Sequence, residues 1–287
     1  MNFDFHNDPD LFRSSVEFTA KQTKFTANLI EKDYLCSVIL NYLSQLSEGS
    51  LIFKGGTCLA KVYWGFNRLS EDLDFIIPMP VDAKRKERSK RVMPYKKAIS
   101  DIPSVHPIFK LPEPLKGRNE SRQYLATISY GSSISEQEET IKLEIGLREP
   151  MIIDSLDGEA GTLLQNAANP SEKMQAFTVK CLSFEEAMAE KFRAALTRKG
   201  VAIRDFYDID FAVYNKGLKT EDKNFIDMVR KKLAIPGNDP PDMSDERLAG
   251  LFDQVEARLK PVLRPKDFEA FDLERAIKHV TKMNSLL

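Results

Sequence analysis

Cysteine and histidine are scarce in this 287-residue chain, with three of each. Cys36, Cys58 and Cys181 are scattered, odd in number and in no CxxC pair. That argues against a disulfide framework or a structural zinc site and fits a reducing compartment. His6, His106 and His279 are equally dispersed and give no metal-ligand spacing. Long apolar runs are missing too: none approaches the roughly 20 residues needed to span a bilayer. The polar, acidic N-terminus has no apolar core of a secretory signal. A soluble cytoplasmic protein with no membrane partner is expected. Surplus charge is absent as well, since 42 basic residues face 43 acidic ones. A nucleic-acid partner would have to be held by a local basic patch. Internal repeats and low-complexity tracts are also lacking. What remains is an ordinary globular composition, 42% hydrophobic and 30% charged, long enough for one large or two modest domains.

Local patterning divides the chain. Residues 26–46 read as an amphipathic helix with Leu29, Tyr34, Ile39 and Leu43 among its apolar positions, broken by Glu48-Gly49-Ser50. Leu51-Ile52-Phe53 suits a short buried strand closed by Gly55-Gly56. Thr57 can cap a helix over about 58–65, and a second strand runs from Asp72 to Ile77 until Pro78 and Pro80 stop it. Residues 82–100 are Lys/Arg-rich and helical, and Pro103, Pro107, Pro112 and Pro114 mark a connection. Tyr124–Tyr130 and Thr140–Leu147, separated by a polar turn, suggest a hairpin. In its second strand Ile141, Leu143, Ile145 and Leu147 alternate with Lys142, Glu144 and Gly146. After about residue 170 the pattern is helical. Ser183 and Glu186 form a capping-box signature, and further helices are expected at 202–215, around Phe225–Leu233, at 245–259 and at 266–284. The expected fold is α+β, a mixed sheet with flanking helices over residues 1–170 followed by a helical-bundle domain over 171–287.

The segment Phe53–Phe75, FKGGTCLAKVYWGFNRLSEDLDF, carries the chemistry. Gly55-Gly56 stands between a strand and a helix start, where bare backbone N–H groups can approach a phosphate. Asp72 and Asp74 are two residues apart on a strand, so both carboxylates point to one face. Magnesium favours one or two carboxylates plus substrate phosphates. Two such ions can clamp the attacking and leaving oxygens of a phosphoryl transfer. Glu144, on the polar face of its strand, is the candidate third carboxylate, as a metal ligand or as acceptor of the attacking hydroxyl's proton. In the helical half Lys191 and Arg198 are seven apart on one helix face, within reach of one anionic ligand. Asp205 and Asp208 are i, i+3 neighbours, and Arg204 and Asp208 are i, i+4 neighbours, which an intrahelical ion-pair set would also explain. The stretch Lys84–Lys97 holds eight basic residues against Glu87 and is either an RNA-phosphate patch or a solvated helix face. Tyr63, Trp64 and Phe66 could stack a base, though packing between helix and sheet is the expected role.

These residues resemble the AbiEii/AbiGii toxin family of the DNA polymerase β-like nucleotidyltransferases. The resemblance comprises Glu31-Lys32-Asp33-Tyr34, the Gly-Gly-Thr turn and Arg68-x-Ser70-x-Asp72-x-Asp74. It continues in Leu143-Glu144-Ile145, Glu190-Lys191, Arg198 and Arg204-Asp205-x-x-Asp208. It implies a nucleotidyltransferase-fold sheet and an active site in the cleft between the two domains. It implies an NTP held by Gly55, Gly56, Thr57, Arg68, Ser70, Lys191 and Arg198, with two magnesium ions on Asp72, Asp74 and Glu144. It further implies that Lys191 and one of Asp205 and Asp208 are needed for activity. Relatives of this kind transfer a nucleoside monophosphate to RNA, in some cases the tRNA acceptor end, and are often encoded beside an antitoxin. Two rivals stay open: nucleotide transfer to a small molecule or a protein side chain, and a non-catalytic nucleotide- or RNA-binding regulatory module. The intact Asp72, Asp74 and Glu144 set argues against the second.

Overall fold

The computed structural model describes residues 4–46, 49–171 and 174–287. The chain forms two compact units, Met1–Leu182 and Ser183–Leu287. The first contains α1 (Pro9–Thr23), α2 (Ala27–Ser44), β1 (Ile52–Lys54), α3 (Gly55–Cys58), β2 (Leu73–Ile76) and α4 (Arg85–Val105). It continues with β3 (Phe109–Arg118), β4 (Gln123–Gly131), β5 (Glu138–Gly146), β6 (Leu156–Ala160) and β7 (Phe177–Cys181). Among the described residues these strands build one seven-stranded mixed sheet in the order β3-β4-β5-β2-β1-β7-β6. β2 pairs antiparallel with β1 and parallel with β5, and β7 lies parallel to β1. Because β7 pairs with β1 at Phe53–Cys181, the sheet runs past residue 170, where the sequence turns helical in character.

The β4–β5 hairpin forms as its alternation dictates, with Ile141, Leu143 and Ile145 buried. Several local expectations need correction. Pro103 lies in the last turn of α4, and Pro112 and Pro114 lie inside β3 rather than in a loop. β3 is an edge strand whose register slips on both sides of Glu113, which is where a residue without an N–H can sit in a sheet. α2 is not one-sidedly amphipathic: Leu29–Leu40 is buried except for Lys32, and that run includes Glu31, Asp33 and Ser37. Of the expected break after it, Glu48 lies outside the described residues, and Gly49 takes a φ of 56°. The expected single helix over 266–284 is two, α9 (Pro265–Glu269) and α10 (Leu273–Leu286), because the Asp272 side chain caps a new start by accepting from Arg275 N.

The polar residues of α2 turn into the fold because each finds a partner there. Glu31 accepts from the Ser132 and Ser133 hydroxyls and from Ser133 N in the β4–β5 turn. Lys32 reaches Glu71 at 3.2 Å, and the Tyr34 hydroxyl lies 3.0 Å from His6 Nδ1. Asp33 pairs with Lys61 Nζ, which also lies 2.7 Å from Ser37 Oγ and 3.1 Å from the Gly161 carbonyl. The other Asp33 oxygen accepts from Thr162 Oγ1 at 2.8 Å and Leu163 N at 3.1 Å. Both ends of the ion pair are nearly sealed from water, at 1% and 2% side-chain exposure. A buried charge is tolerated only with such partners.

The second unit is helical, with α5 (Phe184–Thr197), α6 (Ile203–Lys216), α7 (Lys223–Leu233) and α8 (Asp245–Gln254) preceding α9 and α10. Ser183 caps α5 by accepting from Glu186 N, as its sequence signature requires. The Glu186 side chain pairs instead with Lys232 at 2.7 Å, inside the bundle.

The sheet unit can be tested for stability in two ways. Lys61→Met leaves Asp33 buried and unpaired, and is expected to lower unfolding stability by about 3–5 kcal/mol in urea titrations. The double variant Asp33→Leu/Lys61→Met should cost less than the two single losses added together, whereas full additivity would mean that the pair is not coupled. The second concerns His6 and His106, whose rings lie 6.2 Å apart. Burial pushes both imidazoles below their ordinary value of 6.5, and for His6 the neighbouring His106 charge adds to this. The unfolded chain therefore takes up protons first as pH falls. The stabilising contribution is complete above pH 6.5 and is lost as pH drops towards the folded-state values. Tm should fall between pH 7.5 and 5.5, and His6→Gln/His106→Gln should flatten that slope. An unchanged slope would exclude these residues as its source.

Candidate functional site

β1 ends at Lys54 and the chain turns at once into α3 through Gly55-Gly56. Gly55 has a φ of 77°, in the left-handed region. A Cβ placed on it would lie 2.4 Å from Asp74 Oδ2, and one on Gly56 would lie 2.2 Å from Arg68 Nη2. Both positions must be bare, because the Asp74 carboxylate lies against Gly55 and the Arg68 guanidinium lies against Gly56. Thr57 does not cap a helix. The helix begins before it, at Gly55, and its buried hydroxyl donates to the Asp72 carbonyl. Arg68 is buried as well, and its Nη1 donates to the Leu69 carbonyl at 3.2 Å. Thr57 and Arg68, expected at the nucleotide, are thus placed inside the fold beneath the turn, and Ser70 is half-buried in the loop before β2. α3 ends at Cys58, whose thiol hydrogen bond to Cys181 of β7 holds the Cys181 thiol down to about 7 against the opposing effect of burial. Trp64 is buried, and the Tyr63 hydroxyl donates to the Leu182 carbonyl, so these aromatics pack as expected.

Strand register brings the acids together. Asp74 stands opposite Lys54 on one side and Glu144 on the other, and Glu144 stands opposite Leu125 of β4. Residues paired across neighbouring strands share a face. Lys54, Asp74 and Glu144 therefore form one row on the polar face of the sheet, while Phe53, Phe75 and Ile145 point to the apolar face. Asp72 precedes β2 rather than lying in it, and its position is set by Thr57 and by the Lys32–Glu71 pair next to it. Lys54 is not among the residues singled out from the sequence. Its place directly before the glycine turn, in phase with the alternation of β1, is the signal that points to it.

The helical unit holds the remaining candidates. Lys191 Nζ lies 2.8 Å from Asp205 Oδ1 and 2.8 Å from Asp208 Oδ2. Arg198 Nη1 lies 3.2 Å from Asp205 Oδ2. Both acids therefore hold Lys191, and they do so from α6 across to α5. A similar arrangement lies in the same bundle, where buried Lys232 meets Glu186 at 2.7 Å and Glu190 at 3.3 Å. Asp210 instead turns to Arg275, which it binds through both oxygens at 2.6 and 2.7 Å.

Among the described residues no three His, Cys, Asp or Glu side chains gather closely enough to ligate one metal ion. Asp72, Asp74 and Glu144 are thus not a ready-made three-ligand cage. They fit the way magnesium binds with substrate, through one or two carboxylates completed by phosphate oxygens and water. The all-oxygen donors and the bare Gly55 backbone against Asp74 suit that ion.

Gly55→Ala tests the turn. It places a methyl group on Asp74 and forces an unfavourable φ, so nucleotide-dependent activity should fall about a hundredfold, as a misplacement of about 1 Å in an active site can cost. Stability should drop by only about 1–3 kcal/mol. Retained activity with a folded chain would show that the turn tolerates a side chain.

Comparison with known proteins agrees with this architecture. No curated protein matches the chain. The crystal structure of JHP933 from Helicobacter pylori superposes with a TM-score of 0.50 at 18% identity, covering 91% of this chain and 92% of that one. A second H. pylori structure, described as a candidate nucleotidyltransferase, gives a TM-score of 0.50 at 17% identity over 91% and 95% of the two chains. These likenesses establish a shared fold. The family described as "Nucleotidyl transferase AbiEii toxin, Type IV TA system" matches residues 40–278. The chain belongs to the AbiEii nucleotidyltransferase toxin family of type IV toxin–antitoxin systems.

Proposed function

We propose that this nucleotidyltransferase moves a nucleoside monophosphate from an NTP to the 3′ hydroxyl of an RNA, a tRNA acceptor end, with release of pyrophosphate. It would act as a cytoplasmic toxin countered by a cognate antitoxin. The observation that carries the reading is the row formed by Asp74 and Glu144 beside the bare Gly55-Gly56 turn.

In this reading the sheet domain is catalytic and the helical domain is required with it. Backbone N–H groups of Gly55-Gly56 receive the triphosphate, and Ser70 contributes from the adjoining loop. Asp72 and Asp74 would hold magnesium, with Glu144 beside them; the ion, when bound, neutralises phosphate charge and fixes the phosphates for in-line attack. Glu144 accepts the proton of the attacking hydroxyl. Thr57 and Arg68 hold the turn from beneath. In the helical domain Lys191, held by Asp205 and Asp208, is needed for activity together with Arg198.

The test is incubation of purified protein with magnesium, total tRNA and each α-labelled NTP in turn. Wild-type protein should label tRNA with one NTP or a subset, and Asp74→Asn should label it more than about a hundredfold more slowly. Label appearing in protein or a small acceptor, with none in RNA, would move the acceptor to that class. No transfer to any acceptor would overturn the catalytic reading.

A further inference from the structure

The polar face of the sheet does not end at Glu144. It continues across β5, β4 and β3, and its residues follow from the register. Lys142 pairs with Thr127, Glu144 with Leu125, and Gly146 with Gln123. On β3, Glu113 pairs with Thr127, Lys116 with Leu125, and Arg118 with Gln123. Lys142, Lys116 and Arg118 therefore share the face of Glu144 and Asp74. Lys116 stands in the same cross-strand row as Glu144, two strand spacings or about 10 Å away.

This face is open. Lys116, Arg118 and Lys142 are exposed, and Gln123, Leu125 and Thr127 are half-buried between them. Among the described residues those three cations make no ion pair. Lys110, further along β3, is engaged with Glu138 at 3.9 Å, and Glu113 accepts from Thr127 Oγ1 at 2.7 Å. An antiparallel sheet commonly leaves one face to water. Here that face carries uncommitted positive charge next to the acids on a chain whose net charge is −1.

The basic helix α4 is the competing surface. Its Arg85, Lys86 and Lys90 line a depression of about 650 Å³ with Ser89 and Met93. However, α4 packs on the apolar side of the sheet: Lys96 lies over the ring of Tyr124, and Tyr124 pairs with Ile145, out of phase with Glu144. Charge on the outer side of α4 is separated from the acid row by the sheet itself.

We infer that the polar face of β3–β4–β5, through Lys116, Arg118 and Lys142, is the docking surface for the phosphodiester backbone of the RNA acceptor. The glycine turn lies on the β1 side of Asp74, and this platform lies on the β5 side. Nucleotide and acceptor thus approach the acid row from opposite flanks. The inference rests on the RNA acceptor proposed above.

The triple variant Lys116→Ala/Arg118→Ala/Lys142→Ala tests it, using total tRNA as the probe for labelling and a 5′-fluorescent tRNA for anisotropy. The apparent KM for tRNA should rise about tenfold or more at 150 mM salt, with kcat at saturating tRNA and KM for the NTP both within about twofold of wild type. The slope of log K against log salt should become shallower by roughly 2, at about 0.7–0.9 for each phosphate that is no longer neutralised. Lys116→Arg/Lys142→Arg should bind as wild type does, and so should Asp74→Asn. Wild-type labelling of tRNA with an unchanged KM in the triple variant would overturn the platform and leave the proposed reaction standing. Salt-dependent tRNA binding that disappears in the triple variant, with no RNA labelled by wild type, would do the reverse. A KM effect confined to Lys86→Ala/Lys90→Ala would transfer docking to α4. Equal loss of binding to phosphatidylserine vesicles or polyglutamate would overturn RNA as the occupant.

Discussion

The buried pair between Lys61 and Asp33 is the constraint on which the sheet unit's site depends. Lys61 belongs to the π-helical segment Leu59–Tyr63 directly after α3, and Asp33 belongs to the central helix α2. Taking both charges out of water costs several kcal/mol per ion, which their attraction offsets only with further hydrogen bonds. Those bonds come from Ser37, Gly161, Thr162 and Leu163. An apolar pair of similar volume could be as stable. What it could not do is fix direction, because apolar contacts have no preferred donor or acceptor. The ion pair ties the segment leaving the glycine turn, the central helix and the loop after β6 at one point.

That attachment explains how a turn of bare backbone keeps its shape beside a carboxylate. Asp74 lies against Gly55 and Arg68 lies against Gly56, at distances that no side chain on either glycine would allow. Such close approach survives only where each partner is held independently. Asp74 is held by the ladders to β1 and β5, and the loop before it by Lys32–Glu71 and the Thr57 hydroxyl on the Asp72 carbonyl. The four successive residues Glu31, Lys32, Asp33 and Tyr34 point round the whole circumference of α2. They reach the β4–β5 turn, the loop before β2, the segment after α3 and the N-terminal residues. Supporting residues of this kind orient a site without touching its substrate.

The same geometry shows why some features are legible in the sequence and others are not. β5 is readable because one of its faces is buried and the other wet, which imposes a period of two. The cap at Ser183 is a local interaction and is written locally. α2 departs from its expected one-sided pattern because burial of Glu31 and Asp33 depends on partners about 100 and 130 residues away, which no periodicity encodes. The prolines of β3 read as a loop because their tolerance depends on the strand lying at the sheet edge, a property of topology. β6 and β7 are five-residue strands, β7 paired with β1 and β6 with β7, and their alternation is too short to stand out. In the site, the order of glycine turn, Asp72, Asp74 and Glu144 is legible as chemistry. The inward placement of Thr57 and Arg68 is not, since a hydroxyl and a guanidinium beside a phosphate turn look the same in sequence whether they face ligand or core.

The helical unit carries an electrostatic cluster of its own. Lys191 and Arg198 carry two positive charges, and Asp205 and Asp208 carry two negative ones, so the set is neutral as a group. A neutral cluster supplies little long-range attraction for a triphosphate. What the cluster does is fix the ammonium between two buried acceptors. In the proposed reaction, long-range attraction for anions would come from elsewhere: from divalent ions held by Asp72 and Asp74 for the nucleotide, and from exposed lysine and arginine for a polyanionic acceptor. A chain with almost no net charge can serve both only by segregating its charges, with acids at the centre of one sheet face and cations at its flank. Strand register alone produces that segregation here, because Asp74, Glu144 and Lys116 fall in one row.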